Sequence, residues 1–222
     1  RLINHKNYNT YITEEIKMSE NKTLVRFNIQ NAKYALLKSG GTYDTPIDLG
    51  TSTKIALQRD ASVKKIYGDG RRIAAIVNDK GETGTLTQNN INDGYEVAMG
   101  RKLQTANGLA SIKQTKNITH ALYFETCGYA EDGSMPVAKT WLYGVTSSAP
   151  SENYDQNTDD INESTFDLPL EIVGTNLMSS DGTAKYKDDK GNEVIVTRLT
   201  VYPGDADYDT FGNSVPVPKM AK

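Results

Sequence analysis

Alternation of apolar and polar residues with a period of two runs through most of this chain, and it restricts the fold more than any other feature. In NITHALYFETCGY, Ile118, His120, Leu122 and Phe124 fall on one side, with Ala121, Tyr123, Glu125 and Cys127 on the other. STFDLPLEIVG sets Phe166, Leu168, Leu170 and Ile172 against Asp167, Pro169 and Glu171. Ile55 and Leu57 alternate with Lys54, Ala56 and Gln58, and Thr83, Thr85 and Thr87 share one face of ETGTLTQ with Leu86 on the other. KTWLYGV groups Trp141, Tyr143 and Val145, and NEVIVTRLTVY groups Ile195, Thr197, Leu199 and Val201. A two-residue period sends alternate side chains to opposite faces of a strand, so these segments predict half-buried antiparallel sheet. Pro169 cannot donate a ladder hydrogen bond, which places its strand at an edge or beside a bulge.

One segment carries helical spacing. NNINDGYEVAMGRK has Ile91, Tyr95, Ala98 and Met99 at turns of a helix, Asn90 as a cap candidate and Gly100 as the stop. A fainter helix fits part of residues 10 to 18. SSAPSENYDQNTDDINES holds five acids and no base, an exposed loop, and KDDKGNE reads as a hairpin turn. With no composition break and no internal repeat, residues 18 to 222 are expected to form a single domain with a C-terminal extension. Residues 1 to 17 precede Met18 and read as an N-terminal arm or a translated leader.

The chain has 25 Lys and Arg against 28 Asp and Glu, a net charge of -3, which argues against a nucleic-acid binder with its basic face. Cys127 is the single cysteine, so no intrachain disulfide can form. No apolar run is long enough to span a membrane. His5 and His120 are the only histidines, and neither has a neighbouring ligand at metal-binding spacing. His120 falls on a strand and is expected to be packed or hydrogen-bonded. A nucleophile elbow and a thiol-protease pattern are both missing, so the reading is of a non-enzymatic protein with no cofactor and no metal.

VKKIYGDGRR, residues 63 to 72, places two basic pairs around Gly-Asp-Gly. A phosphate loop of the Walker type needs Lys and Ser or Thr after its glycines and a helix beyond, and the dinucleotide fingerprint also opens a helix. Here Arg71 and Arg72 lead into IAAIV, which is strand. The stretch is therefore the tip of a β-hairpin.

The order of these segments carries a resemblance. NAKYALL, GTYDTPIDLG, the long charged hairpin around IYGDG, ETGTLTQ, the helix ending at Gly100, then HALYFETCGY, KTWLYGVTSSAPS and TFDLPLEIVG together resemble a siphophage major tail protein of the phi13-type group, over about residues 28 to 205. The resemblance implies a mainly β fold, a β-sandwich or barrel-like tail-tube domain with one flanking α-helix and a long β-hairpin. It implies a homo-oligomer of hexameric rings stacked into a tube around a tape-measure protein, with tail terminator and distal tail proteins at its ends. DNA would pass through the lumen without specific binding, and the protein would sit in the virion tail after synthesis in the bacterial cytoplasm. By the same resemblance Lys64, Lys65, Tyr67, Asp69, Arg71 and Arg72 are the inter-ring contact residues, and Glu82, Glu125, Asp167 and Glu171 are lumen-lining candidates. Two alternatives stay open: a tube protein of a contractile injection system or tailocin, and a monomeric β-sandwich binding module.

Overall fold

The computed structural model describes residues 23–152, 154 and 163–221. The helix expected within residues 10 to 18, the arm of residues 1 to 17 and half of the acidic loop lie outside the described residues.

Alternation becomes sheet, as expected. Among the described residues the strands are β1 (Thr23–Leu36), β2 (Ile47–Asp48), β3 (Ser52–Gly68), β4 (Arg71–Gln88), β5 (Lys102–Thr105), β6 (Gly108–Ser111), β7 (His120–Ala130), β8 (Val137–Ser147), β9 (Phe166–Ile172), β10 (Thr175–Asn176), β11 (Ile195–Val196) and β12 (Arg198–Val201), with one helix, α1 (Asp93–Ala98). The principal sheet runs β2-β1-β7-β8-β9-β4-β3, and β12 also pairs with β8. Every ladder in it is antiparallel. One edge of β8 meets β7; its other edge is divided between β12, at Lys139 to Leu142, and β9, at Val145 to Ser147.

The two faces of this sheet bury different clusters. On the inner face Ile29, Tyr34, Leu86, Leu122, Phe124, Leu142, Leu168, Leu170 and Ile172 pack together, with Ile55 and Leu57 of β3 against them. Side chains of strands at both ends of the sheet order thus share one core, which means that the sheet curls on itself. The curl stops short of closure: β1 and β3 share no ladder, and a cavity of ≈ 240 Å³ lies between Arg26–Ile29 of β1 and Thr53–Ile55 of β3. The fold is a mainly β, barrel-like domain open along one seam.

On the outer face of β1, β7 and β8, Ala35, Ala121, Tyr123, Trp141 and Tyr143 are covered by the C-terminal segment through Phe211. The Trp141 indole donates to the Phe211 carbonyl at 2.8 Å, and the Tyr143 hydroxyl donates to the Pro216 carbonyl at 2.9 Å. Each large apolar side chain buried this way contributes roughly 1.5–3 kcal/mol, so the extension is part of the core.

Three local expectations are corrected. Val145 does not share a face with Trp141 and Tyr143: Gly144 has φ +60°, the left-handed region, and turns Val145 into the inner cluster. NEVIVTRLTVY is two strands, because the chain breaks at Thr197; Ile195 is exposed while Leu199 and Val201 pack outward. The cap of α1 is Asn92, not Asn90, and its side chain accepts from the Tyr95 amide at 3.0 Å. Ile91 precedes the helix. Its end follows the sequence: Arg101 N–H donates to Glu96 O and Gly100 N–H to Val97 O, with Gly100 at φ +69°.

α1 packs against the start of β7 and the end of β8. Tyr95 and Met99 enter the inner cluster, and the Tyr95 hydroxyl lies 3.0 Å from His120 Nε2 and 2.8 Å from Ser147 Oγ. Arg101 donates twice to Glu96, at 2.6 and 2.8 Å, and once each to the carbonyl and hydroxyl of Ser147 at 3.0 Å. Both members of the ion pair are buried. His120 is thus packed and hydrogen-bonded, as its strand position predicts.

Pro169 lies between β4 and β8, inside the sheet order rather than at its edge. Its carbonyl accepts from Ser148 on the β8 side, so its missing N–H also faces that side, where the β8 ladder has already ended at Leu170. The proline costs no ladder bond.

Candidate assembly interface

β3 and β4 form a hairpin that outruns the sheet. β4 pairs with β9 only from Glu82 to Gln88, whereas its pairing with β3 continues to Arg71. From Gly81 to the tip the hairpin is, among the described residues, a bare two-stranded ribbon, about 35 Å long at 3.4 Å per residue. Asp69 and Gly70, with φ of +51° and +72°, make the two-residue turn between Gly68 and Arg71, a type I′ geometry that matches strand twist. The hairpin reading of VKKIYGDGRR is correct.

The ribbon is apolar on both faces. Paired residues share a face, so Val63 lies beside Val77, and on the opposite face Lys64 pairs with Ile76 and Ile66 with Ala74. A bulge between Ile66 and Tyr67 adds Ile73, whose side chain lies over Gly68. Val63, Ile66, Tyr67, Ile73, Ile76 and Val77 are 38% to 66% exposed. Lys64, Lys65, Arg71 and Arg72 surround them and make no ion pair among the described residues. The six residues expected at an inter-ring contact are therefore brought together in one exposed unit.

Its root is fixed. Glu82, buried where the ribbon leaves the sheet, accepts from Thr197 Oγ1 at 2.6 Å and faces Arg59 and Arg198 at 3.4 and 3.6 Å. Arg59 also binds Asp79, whose carboxyl is held below its ordinary range by the Arg59 guanidinium and by the Gly81 amide. At Gly81 the backbone passes so close to Ile172 that a Cβ would stand 2.2 Å from its carbonyl oxygen.

The four lumen candidates divide. Glu82 and Glu125 are buried and bonded within the subunit. Burial alone would raise the Glu125 carboxyl, but hydrogen bonds from Tyr123, Gln30 and Asn31 outweigh it and hold the group below its ordinary value. Neither of these two lumen-lining candidates presents a free carboxylate on the subunit surface. Asp167 and Glu171 are exposed on β9, opposite Leu168 and Leu170. They share the outer face of β9 and β4 with their cross-strand partners Thr87 and Thr83, and Thr87 Oγ1 donates to Asp167 at 2.6 Å.

Sequence reasoning missed the apolar content of the ribbon, because alternation was read for a buried face and here neither face is covered. It also missed Thr197 and Arg198 as partners of Glu82, a contact across more than 100 residues that no local pattern encodes.

No family model matches the chain, and no curated protein matches it. Among solved structures it is similar to a chain of the anti-feeding prophage baseplate, determined by cryo-electron microscopy with 6-fold symmetry, at 12% identity and a TM-score of 0.36, over 64% of this chain and 88% of that one. At that level the likeness assigns no function.

Proposed function

We propose that this chain is the structural subunit of a siphophage tail tube, assembling into hexameric rings that stack around a tape-measure protein and conduct the genome. The observation that carries this reading is the bare β3–β4 ribbon. An isolated two-stranded hairpin is marginal in water, and one with six exposed large apolar side chains is an aggregation hazard unless a partner covers it. Repetition of one heterologous contact around a ring supplies that partner and leaves no hairpin bare.

The remaining surface supports the same reading. β3 is the last strand of the sheet among the described residues, where one edge of its 17 residues is unpaired and available to a neighbouring subunit. The outer face of β4 and β9 carries Thr83, Thr85, Thr87, Asp167 and Glu171, with Ala56, Gln58 and one cation, Lys54, beside them on β3, whereas much of that of β7 and β8 is covered by the C-terminal segment. Hydroxyls and carboxylates outnumber the single cation on this face, and it offers bases no aromatic stacking surface, which suits a lumen that must pass nucleic acid without holding it. In this reading Asp167 and Glu171 line the lumen and Lys64, Lys65, Tyr67, Asp69, Arg71 and Arg72 meet a neighbouring subunit.

Light scattering of a charge-reversed chain tests the contact. Replacing Lys64, Lys65, Arg71 and Arg72 by Glu is expected to abolish ring stacking with the circular dichroism spectrum unchanged. Tubes of undiminished length would count against the hairpin as the contact.

A further inference from the structure

A second apolar surface lies on the outer face of β1 and β7, and it matches the ribbon in character. Val25 pairs with Tyr129 and Phe27 with Cys127, in regular register, so Val25, Phe27, Tyr129 and Cys127 share a face. That face is the one holding Tyr123 and Glu125 further along β7, hence the outer one. Val25, Phe27 and Tyr129 are nonetheless 44% to 58% exposed, because the C-terminal cover ends short of them.

Acids border this patch. The Tyr208 hydroxyl donates to the Val137 carbonyl at 2.8 Å, and Val137 pairs with Cys127, so Tyr208 borders the patch, and its chain neighbours Asp207 and Asp209 are exposed. Glu131 follows directly after β7 and is exposed as well. The nearby cation on this side, Lys139, is occupied, donating to the Tyr208 carbonyl at 2.8 Å with its ammonium 4.2 Å from the Tyr208 ring centroid.

We infer that the patch of Val25, Phe27 and Tyr129, rimmed by Glu131, Asp207 and Asp209, is the seat of the β3–β4 ribbon of a second copy of this chain. The ribbon brings isoleucines and valines beside four cations that make no ion pair among the described residues, and the patch offers exposed aromatic and aliphatic surface in a region with three exposed acids. Within one chain both surfaces are exposed, so neither covers the other. Complementary charge fixes the register of such a contact and burial of the apolar surfaces supplies its affinity. The contact is heterologous, ribbon to patch, so each copy both gives and receives it, as a ring or a stack requires. This inference rests on the tube reading and names the partner surface of the hairpin.

Disulfide trapping tests it. In a full-length Cys127→Ala chain, one preparation carries Tyr67→Cys and another Tyr129→Cys, and the two are mixed and oxidised. A mixed disulfide between position 67 and position 129 is expected, with none to a control Ile112→Cys chain. A second variant, Val25→Glu with Tyr129→Glu in the native background, is expected to weaken self-association at least tenfold with unchanged thermal unfolding. Oligomers that form normally but trap 67 only to 67, or survive the glutamate pair, overturn this seat and leave the tube reading standing. A chain that stays monomeric at every concentration overturns both.

Discussion

The Thr197 hydroxyl donates a 2.6 Å hydrogen bond to the buried carboxylate of Glu82, across 115 residues of sequence, and ties the break between β11 and β12 to the root of the projecting hairpin. Arg59 and Arg198 converge on the same carboxylate from the two flanking segments. The hairpin is thus held by its base rather than along its length.

Glu82→Ala removes the acceptor common to Thr197, Arg59 and Arg198. It should cost about 1–3 kcal/mol in urea unfolding. Hydrogen exchange should accelerate at the hairpin root around Arg59 and Gly84 more than in β7 and β8. Uniform acceleration across the sheet would show that Glu82 is an ordinary core group.

Acid should act through His120. Burial, assisted by the nearby Arg101 charge and opposed by the Ile118 carbonyl, pushes its pKa down to about 4, against an ordinary value of 6.5. Between those values the unfolded chain binds a proton that the folded chain refuses, so stability is full above pH 6.5 and falls as pH drops toward 4. The loss amounts to about 3 kcal/mol over that window. Urea midpoints across the window should show this slope, and His120→Gln should flatten it. An equal slope in the variant would assign the acid sensitivity elsewhere.

Gly144→Ala should be among the most damaging single-methyl changes. The position has φ +60°, and a Cβ there would stand 2.4 Å from the Gly174 carbonyl oxygen and 2.9 Å from its nitrogen. Strain and backbone collision combine, and a loss above about 3 kcal/mol is expected, read as thermal unfolding or as insoluble expression.

The Glu96–Arg101 pair is buried, with two hydrogen bonds between its members. Arg101→Met leaves the Glu96 charge without its counterion and should cost about 3–5 kcal/mol. Adding Glu96→Gln should restore a substantial part of the loss, because the stranded charge is then gone. A double variant no more stable than Arg101→Met would show that Arg101 acts chiefly through Ser147.

Much of the sheet was legible in the residues themselves. The alternation of Phe166, Leu168, Leu170 and Ile172 appears unchanged as the inward face of β9, and Asp69-Gly70 gave the hairpin turn. What escaped was set by distant parts of the chain. Val145 changes face because Gly144 bends toward Gly174, and Trp141 is covered by Phe211, 70 residues on, through a stretch without periodicity. Asn90 and Asn92 are equivalent caps by composition, and packing of Tyr95 between Tyr34 and His120 decided for Asn92. Of the candidate site, the basic pairs and the hairpin turn were visible, while the exposure of Ile66, Ile73 and Ile76, which no third strand covers among the described residues, was not.

The most direct test of the account is negative-stain electron microscopy of the purified full chain over a range of concentration and salt, alone and with tape-measure and tail-tip proteins. Rings of one diameter, stacking into tubes, are the predicted result. A particle that remains a monomer under all of these conditions would contradict the tail-tube function.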